Sequence, residues 1–266
     1  MRTIKSLNLL KILAIFTTLT ILSFSTLVFA HDHWIGTTPI SNGEKVTAIR
    51  GFGHNFPDGE AIPEGRDSVF TPITILAADG STSSVTPSGE NNFTFISEKT
   101  LNNGTYLLYS EYSPTFWSET PTGRQEKPKN ETEGATSCRK VAMYAKSILN
   151  VGDQYNDDPA TKTLNQLLEF VPPQNPSSVK VGEVIPIKLL YDGKPLARTL
   201  VTGTVEGMPK GTHAFSGRTD KDGIINFMPL KTGRWILTAN TKETFEDKSI
   251  CDEASYTASL FFTIDQ

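Results

Sequence analysis

Short runs of β-branched and aromatic residues, each closed by turn-forming residues, recur along most of this 266-residue chain. Between positions 31 and about 120 the runs are Lys45 to Arg50, Ile73 to Leu76, Asn92 to Ile96 and Gly104 to Tyr109, with Asp79-Gly80 and Asn102-Asn103-Gly104 between them. Two-residue periodicity broken by such turns predicts an antiparallel sandwich. Pro172-Pro173-Gln174-Asn175-Pro176 then punctuates the chain. A second set of runs follows at Glu183 to Leu190, Ala197 to Val205, Ile224 to Phe227, Gly233 to Ala239 and Ser259 to Ile264. Its turns, Tyr191-Asp192-Gly193-Lys194 and Thr219-Asp220-Lys221-Asp222-Gly223, predict a second Ig-like or transthyretin-like sandwich. Pro186 within the first of these strands implies an edge or a bulge. Between the two sets, 121–133 reads as an exposed loop. Val141, Met143, Tyr144, Ile148 and Leu149 follow helical spacing, and 161–170 reads as a second short helix or turn. The expected fold is mainly β, with sandwich domains at 31–135 and 177–266 joined by a helical connector at 136–176.

Arg2, Lys5 and Lys11 lead into an apolar run, Ile12 to Phe29, that ends in Val28-Phe29-Ala30. This predicts a signal peptide over 1–30 cleaved after Ala30; an uncleaved anchor is the alternative for an apolar run of this length. The chain carries 25 basic and 29 acidic side chains, a net charge of −4, and removing the three basic residues of the leader takes it to −7. Such a surface argues against nucleic acid or anionic lipid as a partner. With no second apolar stretch of that length, no membrane insertion is expected after cleavage, and the periplasm or the exterior is the expected location. In an exported chain the only two cysteines, Cys138 and Cys251, predict a disulfide more readily than a metal site.

Cleavage after Ala30 would leave His31-Asp32-His33-Trp34 as the new N-terminus. Two chelating geometries are open there. In the first, the α-amine, the amides of Asp32 and His33 and the His33 imidazole form a square plane suited to Cu(II) or Ni(II). In the second, the α-amine and ring of His31 act with a distant histidine as a histidine brace. His54, in Gly51-Phe52-Gly53-His54-Asn55-Phe56-Pro57, is the best third ligand because its flanking glycines permit close backbone approach. His213 reads as a surface residue and Trp34 as a core anchor. Gly51-x-Gly53 lacks the rest of a dinucleotide fingerprint, and no nucleophile elbow, phosphate-binding loop or zinc-protease helix is present. Asp220-x-Asp222 reads as a turn, with calcium as the alternative, and Lys146 as the solvated face of the connector helix.

His31 with Trp34, the segment Gly53-His54-Asn55-Phe56-Pro57-Asp58-Gly59-Glu60, Tyr144-Ala145-Lys146, Gly193-Lys194-Pro195-Leu196, Thr219-Asp220-x-x-Gly223 and Gly233-Arg234-Trp235 together resemble the DUF4198 family. Its members include periplasmic components described alongside cobalt and nickel uptake systems. The resemblance implies a two-part β-rich periplasmic protein in which His31 and His54 are the positions to hold metal. His33 and Asp32 fall where such proteins vary, and Tyr256 stands where the family's tail often carries tryptophan.

The leading expectation is therefore a periplasmic carrier that binds Ni, Co or Cu through His31, His33, His54 and Asp32 and passes it to a membrane metal-uptake permease, with no catalysis. An exported structural or adhesive sandwich protein is one alternative. The other is a copper oxygenase acting on polysaccharide, for which Trp117 with Tyr112 and Phe116 is the one local aromatic platform.

Overall fold

Strands buried on one face announce themselves by alternation, whereas strands buried on both faces read as continuous apolar runs. The computed structural model describes residues 31–266 and contains both kinds. The expected signal peptide lies outside the described residues.

Sixteen strands are formed among the described residues: β1 (Asp32–Thr37), β2 (Thr47–Gly53), β3 (Thr74–Leu76), β4 (Thr82–Pro87), β5 (Thr94–Ser97), β6 (Gly104–Thr120), β7 (Gly123–Gln125), β8 (Ser137–Val151), β9 (Leu168–Val171), β10 (Ile185–Tyr191), β11 (Lys194–Pro195), β12 (Leu200–Val205), β13 (Phe215–Arg218), β14 (Ile224–Phe227), β15 (Gly233–Thr244) and β16 (Glu253–Ile264). The only helical turns among the described residues are three short 3-10 turns, at Asp67–Val69, Lys129–Glu131 and Pro176–Ser178. No helix among these residues is long and apolar enough to cross a membrane.

One sheet runs β1-β2-β5-β4-β3-β6-β8-β16-β15-β12-β13, with β7 added to β6, and a second runs β11-β10-β14, with β9 on β10. Strand β4 pairs with β3 through Thr82 to Ser84 and with β5 through Val85 to Pro87, so the long sheet folds over on itself there. Ile35, Ala48 and Phe95 from one layer meet Ile75, Leu108, Ala145 and Leu149 from the other in a first core. In a second core, Ile185, Ile187, Leu189 and Phe227 of the small sheet meet Val201, Trp235, Leu237, Leu260 and Phe262. The chain is thus a mainly β protein of sandwich type, and residues 31–266 form one compact unit.

Strand β8 serves both cores. Its even-numbered residues Ala142, Tyr144 and Ile148 enter the second core, and Ala145 and Leu149 enter the first. The helical connector expected over Ser137 to Leu149 is therefore corrected to a strand, paired with β6 on one side and in parallel with β16 on the other. Every residue from Ala142 to Leu149 is buried, so the two-residue alternation that marks a strand is erased. The expected helix or turn at 161–170 is likewise no helix and ends in β9.

Lys146, expected on a solvated face, is 1% exposed. Its ammonium donates to the carbonyls of Lys162 at 3.0 Å and Phe170 at 3.1 Å and pairs with Glu169. Cys138 and Cys251 form the expected disulfide, joining the starts of the parallel strands β8 and β16 across 113 residues of sequence. Pro186 sits where β10 has β14 beside it but not yet β9, so its missing N–H leaves no ladder bond unmade. Asp220 Oδ1 accepts the amides of Asp222 and Ile224, so the Asp220-x-Asp222 pair closes a turn.

Candidate metal centre

Strand β1 lies antiparallel to β2 with Asp32 opposite Gly53 and His33 opposite Phe52, which places His31 beside the residue that follows β2, His54. The β1 backbone is tied to the central sheet by Ser259 Oγ, which donates to the His33 carbonyl at 2.7 Å. The His31 ring stacks on Phe52 at 4.7 Å with an interplanar angle of 4°, and its centroid lies 4.4 Å from that of His54.

Two glycines let a third group reach this pair. A Cβ on Gly51 would stand 1.8 Å from the Trp34 indole, so the indole rests directly on the backbone there. A Cβ on Gly53 would lie 2.7 Å from Cγ of Glu60, and φ at this residue is +128°, a value that L side chains rarely adopt. The chain after His54 turns back, and the Glu60 amide donates to the Phe52 carbonyl at 2.6 Å. Glu60 thereby sets Oε2 3.3 Å from His31 Nε2 and Oε1 3.1 Å from His54 Nδ1, each imidazole N–H able to donate to one carboxylate oxygen. One ligand atom from each of His31, His54 and Glu60 falls within 4.8 Å of the others.

Electrostatics follow from this crowding. Partial burial, and then the neighbouring His54, lower the pKa of His31, with Glu60 acting the other way. The hydrogen bond from His54 holds the Glu60 carboxyl below its usual range. Two imidazoles and a carboxylate are a donor set of intermediate softness suited to first-row divalent metals. With metal–ligand bonds of about 2.1 Å, adjacent ligands of a tetrahedral or octahedral ion stand roughly 3.0–3.4 Å apart. The two nitrogen–oxygen distances, 3.1 and 3.3 Å, fall in that window.

The other expected ligands are placed elsewhere. His33 is fully buried, with Nδ1 donating to the Gly51 carbonyl at 3.1 Å and its ring edge-on to Phe70. Burial pushes its pKa down to about 3. A square-planar chelate would curl residues 31–33 around an ion, but these residues enter an extended strand and the His33 ring belongs to the core. The structure thus does not bring His33 to His31 and His54. Asp32 points into an adjoining cleft shared with His54, and burial raises its pKa to about 6. His213 lies across that cleft, its Nδ1 3.0 Å from Thr204 Oγ1. Glu60 is the residue that sequence reasoning missed. Its signal is a carboxylate six residues after His54 in a glycine-bracketed turn. The aromatic residues considered as a carbohydrate platform are not laid out as one: Tyr112 is buried, Phe116 packs edge-on against Phe245, and Trp117 lies under Arg66 and Arg124.

Among solved structures, the chain is similar to the D0-D1 domain of Intimin, with 13% identity over 88% of this chain and 99% of that one, at a TM-score of 0.23. It is also similar to the D00-D0 domain of Intimin, with 13% identity over 89% and 100% of the two chains, at a TM-score of 0.19. Likenesses at such scores carry no argument about this chain. No curated protein matches it. The profile described as Domain of unknown function (DUF4198) matches residues 28–243, which include β1, His54, Glu60 and most of both cores, and the chain therefore belongs to the DUF4198 family.

Proposed function

We propose that this protein captures a divalent transition metal, Ni(II), Co(II) or Cu(II), at His31, His54 and Glu60 in the periplasm and delivers it to a membrane uptake permease. The observation that carries the reading is the convergence of Glu60 on two histidines that lie 23 positions apart in sequence. Removal of the leader after Ala30 would add the α-amine of His31 as a further nitrogen donor at the same place. Delivery is supported by exposure. The His31 and His54 side chains are 40% and 34% accessible and Glu60 is 44%, so a partner's ligands can approach the ion and exchange with these. The transport assignment rests on the resemblance to family members described beside cobalt and nickel uptake systems. Nothing in this reading requires catalysis.

The test is titration of protein whose first residue is confirmed as His31 by mass spectrometry with each of the three metals. One ion should bind per chain. His54→Ala or Glu60→Gln should weaken binding by more than about 10-fold, the lower end of what losing even a supporting group costs a metal site. His33→Phe, if folded, should bind as the parent does. Binding no tighter than that of the denatured chain would overturn the proposal and leave an exported structural protein in its place.

A further inference from the structure

The cleft beside His54 is not needed to hold a bare ion. It is walled by Trp34 and Phe56 on the β1 side and by Ile236 and Thr238 of β15, and it is closed by the segment from Pro209 to His213 between β12 and β13. It spans about 430 Å³ of space, open solvent included. Its charges are of both signs: the Asp32 carboxylate on one side, and on the other the Lys210 ammonium, which has no ion-pair partner among the described residues. Thr204 and Thr212 add hydroxyls, and Thr204 holds the His213 ring.

We infer that the cargo is a metal chelate of an amino-carboxylate, an amino acid or a close relative, with the metal on His31, His54 and Glu60 and the organic part in this cleft. The inference rests on the metal reading of those three residues and names its substrate class. The three side-chain donors, with the His31 α-amine as a fourth in the processed chain, leave coordination positions open on a six-coordinate ion, and His54 belongs to both the metal group and the cleft. Lys210 raises the energy of a naked dication nearby, because like charges repel, but favours one whose charge a carboxylate has already offset. A carboxylate of the chelator is matched by the Lys210 ammonium, since the Thr212 hydroxyl already donates to the Pro209 carbonyl at 2.6 Å. A metal-bound amine keeps its N–H bonds, and these are matched by Asp32. Trp34 and Phe56 give the carbon skeleton an apolar wall, and Trp34 cannot shift freely because its ring is seated on Gly51.

Equilibrium dialysis of the protein processed at His31 tests this with Ni(II) alone, radiolabelled L-histidine alone, and both together. Histidine should be retained one per chain, and only when Ni(II) is present. Lys210→Ala should lower retention of the label by about 10-fold, the equivalent of one 1.4 kcal/mol contact, while affinity for Ni(II) alone does not fall. His54→Ala should lose both. Histidine that strips Ni(II) from the protein without being retained would overturn the inference and leave the metal reading standing. Absence of Ni(II) binding with and without histidine would overturn both. Citrate, which has no amine for Asp32, should be retained more weakly than histidine; equal or tighter retention would overturn the amino-carboxylate assignment.

Discussion

The Lys146–Glu169 pair and the His31–His54–Glu60 group each set nitrogen bases against one carboxylate, and they differ in what surrounds them. Lys146 and Glu169 are 1% and 2% exposed, and the ammonium donates to two carbonyls as well as to the carboxylate, so its three donors are all occupied. Burial pulls the Lys146 pKa down while Glu169 holds it up. The pair fastens the 162–170 segment to β8 and offers nothing to a ligand. The histidine group sits on the surface, with a third to nearly half of each side chain accessible and its donor atoms turned toward one another. Polar groups that are buried and satisfied build the fold, whereas groups that converge while open to solvent are available for chemistry.

Three measurements can break or sharpen this contrast. The largest effect belongs to the buried pair. Glu169→Ala strands the ammonium and should cost about 3–5 kcal/mol. For a chain of this size that is a fall in melting temperature of roughly 6–20 °C by calorimetry. Replacing both members, Lys146→Met with Glu169→Leu, should recover part of the loss, because no charge is left uncompensated, although the Lys162 and Phe170 carbonyls and the Leu164 amide lose their side-chain partners. A double variant as unstable as Glu169→Ala would show that the pair does more than satisfy itself.

An intermediate case lies beside the disulfide, where the Asp252 carboxyl accepts from the Lys129 ammonium at 2.8 Å and from the Cys138 amide at 2.7 Å. The Lys129 hydrogen bond, as the larger cause, lowers its pKa below the usual carboxylate value. A depressed folded-state pKa gives stability that is complete above the unfolded value and is lost as pH falls through the folded one. The side chain is 36% exposed, so the pair should be worth only about 0.5 kcal/mol. Asp252→Asn should be less stable than the parent by that amount at neutral pH, and urea denaturation should show the gap closing as the pH drops below 3.8. A gap that stays constant down to pH 2 would mean that the bond contributes through shape and not charge.

The smallest effect belongs to the histidine group. His54→Ala and Glu60→Gln should change unfolding free energy by no more than about 0.5 kcal/mol without metal, as surface substitutions do. A loss approaching that of Glu169→Ala would make the group a structural clasp and dissolve the contrast.

Much of the fold was legible because one-sided strands and tight turns leave local marks. Tyr191-Asp192-Gly193-Lys194 forms its hairpin between β10 and β11, with φ of +50° at Asp192 and +68° at Gly193, the conformation that Asp-Gly favours. Strand β8 was not legible, since burial on two sides removed its period and left helix-like spacing. Strands β9 and β13 were not legible either, since Phe215–Arg218 holds one apolar residue in four and Leu168–Val171 closes a stretch that reads as a helix or turn. At the site, His31 and His54 were visible from spacing and from the resemblance. Glu60 was hidden because its contact with them depends on a turn whose return path no local pattern records. His33 was misjudged because residue spacing does not say which ring the core will enclose.

What the sequence by itself determined is local: a mainly β chain, the positions of most hairpins, a pair of cysteines fit to be joined, and a histidine, His54, flanked by glycines. Each of these follows from backbone preferences and residue types acting over a few positions. Tertiary structure alone decided that β8 is shared between two cores, that Lys146 is buried while His54 is exposed, and that Glu60 meets both histidines. Those outcomes depend on which surfaces are removed from water when distant segments pack. Burial of that kind is a property of the whole chain and is written in no single stretch of it.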